Sequence, residues 1–143
     1  MPIKSFRGKL ANNIIDTIML HTNDGKTGYR IKKFDLFPAT PDSAYESVVQ
    51  VFSTEQTTAS ITVDFANQEL LGAAWYAFQG SGSSDATGYM KQVFDNVVFN
   101  QDIYITHKDG QGGIINYYIE LEQISLDLNE QTVATLKDLR NND

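Results

Sequence analysis

The segment from Val97 to Leu126 constrains the fold more than any other part of the sequence. On both sides of the glycine-rich stretch 109–113, apolar residues alternate with polar ones, as they do in β-strands that are buried on one face. Glycine tolerates a positive φ, so this stretch can form a tight turn. The pattern predicts two long strands folded back on each other as a hairpin, and therefore a β-protein.

A second hairpin is predicted from Ile14 to Phe37, with a turn at residues 23–26 that contains the favourable pair Asp-Gly. On the return strand, the apolar residues change from odd to even positions around Lys32 and Lys33. A β-bulge or a bend at that point would let both halves face one core. Bent strands of this kind often cross between the sheets of a sandwich.

Periodicity predicts four further elements. Residues 45–52 are apolar on both faces and predict a central strand, and residues 61–65 alternate as a short half-buried strand. Residues 67–78 place their large apolar side chains on one helical face, which favours a short middle helix with Trp75 as a core anchor. A capping-box pattern predicts a short C-terminal helix over residues 128–140.

The 143 residues fit a single domain. The elements together predict a mainly β fold: an antiparallel β-sandwich, jelly-roll-like or immunoglobulin-like, with a short C-terminal helix and, as an option, a short middle helix. The absence of Cys excludes disulfides, thiolate metal sites and thiol catalysis. No apolar run approaches the roughly 20 residues of a membrane-spanning helix, so no membrane association is predicted.

The net charge of −7 is unevenly distributed along the chain. Residues 1–33 carry seven basic and two acidic side chains, a net charge of +5, whereas residues 34–143 carry four basic and sixteen acidic ones, a net charge of −12. A basic part joined to an acidic body suits contacts between copies in a homo-oligomer, or docking on an acidic partner. An ordinary solvated surface is the alternative. No nucleic-acid partner is predicted, because the basic set lacks the overall positive charge and interleaved aromatic residues of such proteins.

Six residues are predicted to bind a partner. Residues 1–12 would form an N-terminal docking arm of the single domain, with basic and aromatic side chains at its contact. Two tyrosines on one outer surface of the C-terminal hairpin would bind a protein or a sugar ring. Packing against the C-terminal helix would explain these tyrosines equally well. The six residues are Lys4, Phe6, Arg7, Lys9, Tyr104 and Tyr118.

The sequence offers little support for an enzyme. His21 and His107 each precede an Asp by two or three residues, so a shared metal or acid–base site is one hypothesis. Glu120 and Glu122 share a strand face, as a glycosidase pair would, but a solvent-facing strand is the simpler interpretation. No nucleotide-binding, hydrolase or zinc-protease motif is present. We therefore predict no catalytic residues, no metal site and no cofactor.

Five segments carry a resemblance to a group of viral proteins. They are residues 3–11, 28–31, 99–106, 116–123 and 134–140. In these segments, and over nearly the whole chain, the sequence resembles uncharacterised proteins encoded by marine tailed bacteriophages. The resemblance implies a structural role in the virion, without catalytic residues to carry over. The loops at residues 38–43 and 79–90 look variable relative to it.

These observations predict a virion structural protein that assembles in the host bacterial cytoplasm. The first hypothesis is a capsid decoration or cement protein that binds the major capsid protein, with its N-terminal arm reaching a neighbouring subunit. A ring component of the neck or tail is one alternative. The other is an adhesin-like module in which Tyr104, Tyr118 and the loop near Ser81 bind a host glycan.

Overall fold

A computed structural model describes residues 2–20, 26–80 and 88–126. These residues form eight β-strands and no helix. The predicted C-terminal helix over residues 128–140 lies outside the described residues. The strands are β1 (Ile3–Leu10), β2 (Ile14–Ile18), β3 (Thr27–Pro38), β4 (Tyr45–Phe52), β5 (Leu70–Phe78), β6 (Tyr89–Phe94), β7 (Ile103–Asp109) and β8 (Ile115–Ser125).

The strands pair in two antiparallel sheets, which confirms the prediction of a mainly β protein. One sheet has three strands in the order β1-β8-β3, and the other has five in the order β2-β7-β4-β5-β6. The first strand thus pairs with the last, the second with the seventh, and the fourth with the fifth. No helix in the described part of the chain has the length and apolar character to cross a membrane.

Both predicted hairpins were wrong, although the strands themselves form. Strands β7 and β8 belong to different sheets, and so do β2 and β3. The glycine-rich stretch 109–113 therefore carries the chain from one sheet to the other instead of turning it back in the same sheet. The alternation of apolar residues specifies which face of a strand is buried, but it does not specify which strand lies beside it.

Two finer predictions were confirmed. The register of β3 against β8 shifts between Ile31 and Lys33, so a bulge lies at Lys32 as the change of parity indicated. Tyr29, Ile31, Phe34 and Leu36 are consequently all buried. Strand β4 is central, with β5 on one side and β7 on the other, which explains why it is apolar on both faces.

The predicted middle helix was wrong, because residues 70–78 form strand β5. A Cβ at Gly72 would lie 2.9 Å from the Cβ of Phe94, so glycine permits close packing of β5 on β6. Trp75 is half-buried and stacks on Tyr89 at 6.4 Å between ring centroids, outside the core cluster. The predicted role of Trp75 as a core anchor was therefore wrong as well.

Residues 61–65, predicted as a strand, are irregular, and Ile61 and Phe65 are exposed. They belong to the long connection 53–69 between β4 and β5. Gln50 of β4 donates hydrogen bonds from Nε2 to the carbonyl oxygens of Ser60 at 3.0 Å and Thr62 at 3.2 Å. These bonds hold the connection against the outer face of the five-stranded sheet.

One hydrophobic core is shared by the two sheets. Its members come from the buried faces of both, and the alternation of the strands determines them. The fully buried members at the centre, with 0% exposure, are Phe34, Val49, Val51, Ile103, Ile105, Ile115, Ile119 and Leu121.

Residues 3–10, predicted as part of a docking arm, form the edge strand β1. Each residue of β1 is opposite a residue of β8, from Ile3 opposite Glu122 to Leu10 opposite Ile115. Leu10 is 1% exposed and belongs to the core. This segment is thus an integral strand and not a projecting arm, because the burial of Leu10 fixes it to the sheet. Its role in docking stays a prediction.

Candidate functional site

The outer face of the three-stranded sheet collects most of the basic residues of the N-terminal part of the chain. Residues of β8 alternate between buried and partly exposed, so the exposed set of each strand shares this face. The strand register aligns these residues in four rows across β1, β8 and β3. We call this surface the basic face, and its rows are Ile3–Glu122–Arg30, Ser5–Glu120–Lys33, Arg7–Tyr118–Asp35 and Lys9–Asn116–Phe37.

The fold places basic residues on both sides of a partly acidic central strand. Arg7 and Lys9 lie on β1, and Arg30 and Lys33 lie on β3, with the glutamates of β8 between them. The basic part of the sequence, residues 1–33, thus contributes β1 and the first half of β3 to the two outer strands of this sheet, whereas β2 joins the other sheet. The four rows carry four basic and three acidic side chains, an excess of positive charge on a chain whose net charge is −7.

The glutamates of β8 are already engaged within the basic face. Arg30 Nε donates a hydrogen bond to Glu122 Oε1 at 2.6 Å, and this guanidinium holds the pKa of Glu122 below its ordinary value. Tyr118 donates its hydroxyl hydrogen to Glu120 Oε2 at 2.6 Å, and that bond raises the pKa of the tyrosine. Neither glutamate is therefore arranged as a free acid or base, and the glycosidase interpretation gains no support.

Arg7 and Lys9 remain available to an incoming partner. Among the described residues, no carboxylate lies within 4.0 Å of either side chain. Both are exposed, and Tyr118 lies directly opposite Arg7 on β8. On the other side of Tyr118, Lys33 Nζ lies 5.8 Å from the centre of its ring, within the range of a cation–π contact.

A groove of about 660 Å³ crosses the end of the basic face that carries Arg7 and Lys9. Phe37 projects from it with 66% of its surface exposed, and Ile114, just beyond the last row, is 43% exposed. The groove therefore combines an exposed aromatic side chain with two unpaired cations. Its lining consists of Arg7, Gly8, Lys9, Asp35, Leu36, Phe37, Asn116, Tyr117 and Tyr118.

The structure brings together three of the six residues predicted to bind a partner, namely Arg7, Lys9 and Tyr118. Lys4 and Phe6 point to the other side of β1, because successive residues of a strand alternate between faces. Phe6 packs against the core, and Lys4 Nζ lies 5.7 Å from the centre of the buried ring of Tyr29.

Tyr104 lies on the other sheet. It is on β7, opposite Phe52 of β4, whereas Tyr118 is on β8. Both tyrosines alternate with core residues and face away from the shared core. The prediction that they share one surface was wrong, because the strands that carry them do not form a hairpin.

Sequence reasoning missed Phe37 and Asp35 in the groove. A signal for Phe37 was present: once the bulge at Lys32 places Phe34 and Leu36 inward, Phe37 must face outward. No such signal placed it in the same row as Lys9, because that alignment depends on β8 lying between β1 and β3.

A second group of polar residues is buried inside the molecule. Ser47 Oγ donates a hydrogen bond to Asp109 Oδ2 at 2.5 Å and lies 3.0 Å from His107 Nε2. His107 Nδ1 lies 2.9 Å from the carbonyl oxygen of Ala11, which can only accept, so Nδ1 carries a hydrogen. All three side chains are at most 2% exposed, and burial lowers the pKa of His107.

This buried group ties together three separate segments of the chain. Asp109 also accepts hydrogen bonds from the backbone N–H groups of Glu46 and Gln111, and its own N–H donates to Asn12 Oδ1 at 2.7 Å. The serine lies between the histidine and the aspartate, whereas a catalytic triad needs the histidine in the middle. The arrangement therefore stabilises the fold and is not set up for nucleophilic catalysis.

The predicted histidine pair finds no support as a metal site. His21 lies outside the described residues, and His107 is buried and engaged with Ser47 and Ala11. Within residues 2–20, 26–80 and 88–126, no group of three or more His, Asp or Glu side chains could hold a metal ion.

Two comparisons with known proteins gave no match, so the proposals of function below rest on the geometry of the structure. A scan against protein-family models found none that fits this chain, and a search of curated proteins found no significant match.

Proposed function

We propose that this chain is a structural protein of a bacteriophage virion, and that it decorates the capsid by docking its basic face on the major capsid protein. The observation that carries the proposal is the groove that is lined by the unpaired cations Arg7 and Lys9 of β1 and, across β8, by the exposed Phe37 of β3. The resemblance to proteins of marine tailed phages suggests the setting, and the groove suggests the contact surface.

The strand order supports a finer fold assignment, a jelly-roll sandwich. Pairing the first strand with the last, the second with the seventh and the fourth with the fifth is what results when one long hairpin is rolled up. Strand β6 departs from this scheme, because it pairs with β5 and not with β3. An immunoglobulin-like sandwich would pair the first strand with the second, and here they lie in different sheets. Jelly rolls are common in viral capsid proteins.

The basic face has the composition of a protein-binding surface. Aromatic and arginine side chains dominate binding energy at interfaces, and Phe37 and Arg7 supply one of each. The partner surface should be acidic and should offer an apolar recess for Phe37. Because both cations are exposed, salt should slow the association more than it weakens the final complex.

Point substitutions test this contact better than truncation does. Removing the residues before Asn12 would take Leu10 out of the core and would expose the edge of β8. We therefore choose Phe37→Ala and Arg7→Ala, which remove exposed side chains. The matched controls are Phe65→Ala, where the side chain is 69% exposed outside the basic face, and Lys91→Ala on β6.

The assay is co-sedimentation with capsids of the encoding phage that lack this protein. Phe37→Ala should weaken binding by about 30-fold, as truncation of a central aromatic anchor does, and Arg7→Ala by about tenfold. Both controls should bind as the unmodified chain does, and circular dichroism should show all four variants folded. Unchanged binding by Phe37→Ala and Arg7→Ala would remove the basic face from the proposal.

A ring component of the neck or tail would use the same face, and copy number separates it from a decoration protein. Quantitative mass spectrometry of purified virions gives the ratio of this chain to the major capsid protein. Near-equal abundance supports decoration, a few copies per virion supports a ring, and absence from the virion contradicts both.

A further inference from the structure

A small polar pocket lies on the outer face of the five-stranded sheet, away from the basic face. Its volume is about 140 Å³. Gln50 of β4 and Thr106 of β7 are directly opposite each other in the sheet and line it together with Phe52. These three side chains are 3%, 1% and 7% exposed, so the sheet side of the pocket is buried.

The connection 53–69 supplies the remaining walls. Gln50 uses its amide nitrogen to bind the carbonyl oxygens of Ser60 and Thr62, and these bonds fix the connection over the sheet. Both side-chain donors of Gln50 are thereby used, so it can offer a ligand only its carbonyl oxygen. The other lining residues are Gln56, Thr58, Ser60, Thr62, Asp64 and Asn67.

Thr106 is the feature that points to a ligand. Its Oγ1 is fully buried and has no hydrogen-bond partner among the described residues. Buried polar atoms are rarely left without a partner, because desolvation is then uncompensated. Oγ1 has less than 1 Å² of accessible surface, so a ligand hydroxyl reaches it only when a side chain of the pocket wall moves aside. The two hydroxyls can then satisfy each other, since both can donate and accept.

Two residues at the opening can contact further hydroxyls. Asp64 Oδ1 accepts a hydrogen bond from the N–H of Ala66 at 2.9 Å, which leaves Oδ2 for a ligand donor. Asn67 Oδ1 accepts one from the N–H of Glu69 at 2.9 Å, which leaves its amide nitrogen for a ligand acceptor. The opening therefore offers an acceptor and a donor side by side.

We propose that this pocket binds one ring of a neutral sugar. An engineered cavity of roughly 150 Å³ holds benzene, so a pocket of 140 Å³ can take up a six-membered ring, and the substituents of a sugar ring must extend through its opening. The oxygen-rich walls require a ring that carries hydroxyls, and Phe52 offers an apolar surface to its C–H groups. The carboxylate of Asp64 disfavours acidic sugars. The proposal is independent of capsid docking, because the two surfaces lie on different sheets.

The test is a titration followed by NMR of the backbone amides, with glucose, galactose, mannose and N-acetylglucosamine as separate probes. Concentrations should reach roughly 50 mM, because a single ring with few contacts binds in the millimolar range. We expect saturable shifts for at least one sugar, centred on the amides of Gln50 and Thr106.

Thr106→Val gives the decisive comparison, because valine has the same shape without the hydroxyl. Binding should weaken at least about tenfold, while the melting temperature stays equal or rises, since the lost hydroxyl had no partner. Thr106→Ser keeps the hydroxyl and should keep binding. Thr17→Val, on the exposed face of β2, is the matched control and should bind as the unmodified chain does.

Three results would overturn the proposal. The first is the absence of saturable shifts with all four sugars, or shifts centred elsewhere. The second is undiminished binding by Thr106→Val. The third is a clear loss of stability in Thr106→Val, which would show that a buried water already satisfies the hydroxyl.

Discussion

Replacing Ser47 with alanine should destabilise the protein by about 3 kcal/mol. Ser47 is 0% exposed, and its hydroxyl donates to Asp109 Oδ2 at 2.5 Å and lies 3.0 Å from His107 Nε2. A hydrogen bond to a charged group contributes about 1.5–3 kcal/mol, and a buried group left without its partner costs about 1–3 kcal/mol. The two remaining hydrogen bonds to Asp109 limit the loss, because its other oxygen stays bound to backbone N–H groups.

The change should be visible in a thermal melt and in urea unfolding. With an unfolding entropy of about 2.1 cal/mol/K per residue, a chain of 143 residues loses about 10 °C in melting temperature for 3 kcal/mol. In urea, the midpoint should fall with an unchanged slope. Ser125→Ala, at the exposed end of β8, is the control and should change stability by less than about 0.5 kcal/mol.

A loss below about 1 kcal/mol in Ser47→Ala would refute the reasoning. It would mean that Asp109 and His107 find other partners when the hydroxyl is removed. The buried group would then not be what holds the turn after β1 and the turn after β7 together.

Two further predictions concern the same end of the molecule. In Gly113→Ala, the new Cβ would lie 2.6 Å from Cε1 of Tyr45. The free energy of unfolding in urea should therefore fall by about 1–3 kcal/mol. Gly110→Ala is the control, because its Cβ would make only ordinary contacts at 3.7 Å, and its free energy of unfolding should change little. A similar loss in both variants would contradict the steric argument. Burial lowers the pKa of His107 in the folded protein. The stability that its neutral ring contributes is therefore complete above the unfolded-state pKa of about 6.5, and it declines as the pH falls below that value. Urea unfolding at pH 7.5 and 5.5 should show lower stability at 5.5, by no more than about 1.4 kcal/mol per pH unit from this residue; equal or higher stability at pH 5.5 would contradict it.

The strands could be predicted from the sequence, but their partners could not. A strand that is buried on one or both faces carries its own pattern of apolar residues. For this reason the sequence predicted the bulge at Lys32 and the central position of β4. Pairing depends on contacts between distant segments, such as Leu10 with Ile115, and no local pattern encodes these. The turn-forming residues therefore predict hairpins at points where the chain passes from one sheet to the other.

The prediction of a middle helix was wrong for a related reason. The apolar residues between Leu70 and Phe78 fit one face of a helix as well as they fit a strand that is buried on both faces. The packing of Gly72 on Phe94 decides in favour of the strand, and that contact is tertiary.

The candidate site was predictable in its charge and not in its shape. The excess of basic residues in positions 1–33 predicts a basic surface, and four of these seven residues lie on the basic face. An arm would have presented Lys4, Phe6, Arg7 and Lys9 together, whereas a strand divides them between its two faces. Phe37 joined the site only through the order of the strands in the sheet.

The pairing of β1 with β8 determines when this protein can fold in the cell. The ribosome releases the N-terminus first, and the chain emerges at about 5–20 residues per second. During that time β1, which contributes Leu10 to the core, has no neighbour, because Ile115–Ser125 has not yet been synthesised. The three-stranded sheet, and with it the basic face, can therefore form only after translation of β8. A nascent chain that still lacks β8 should therefore not carry the basic face of the finished molecule.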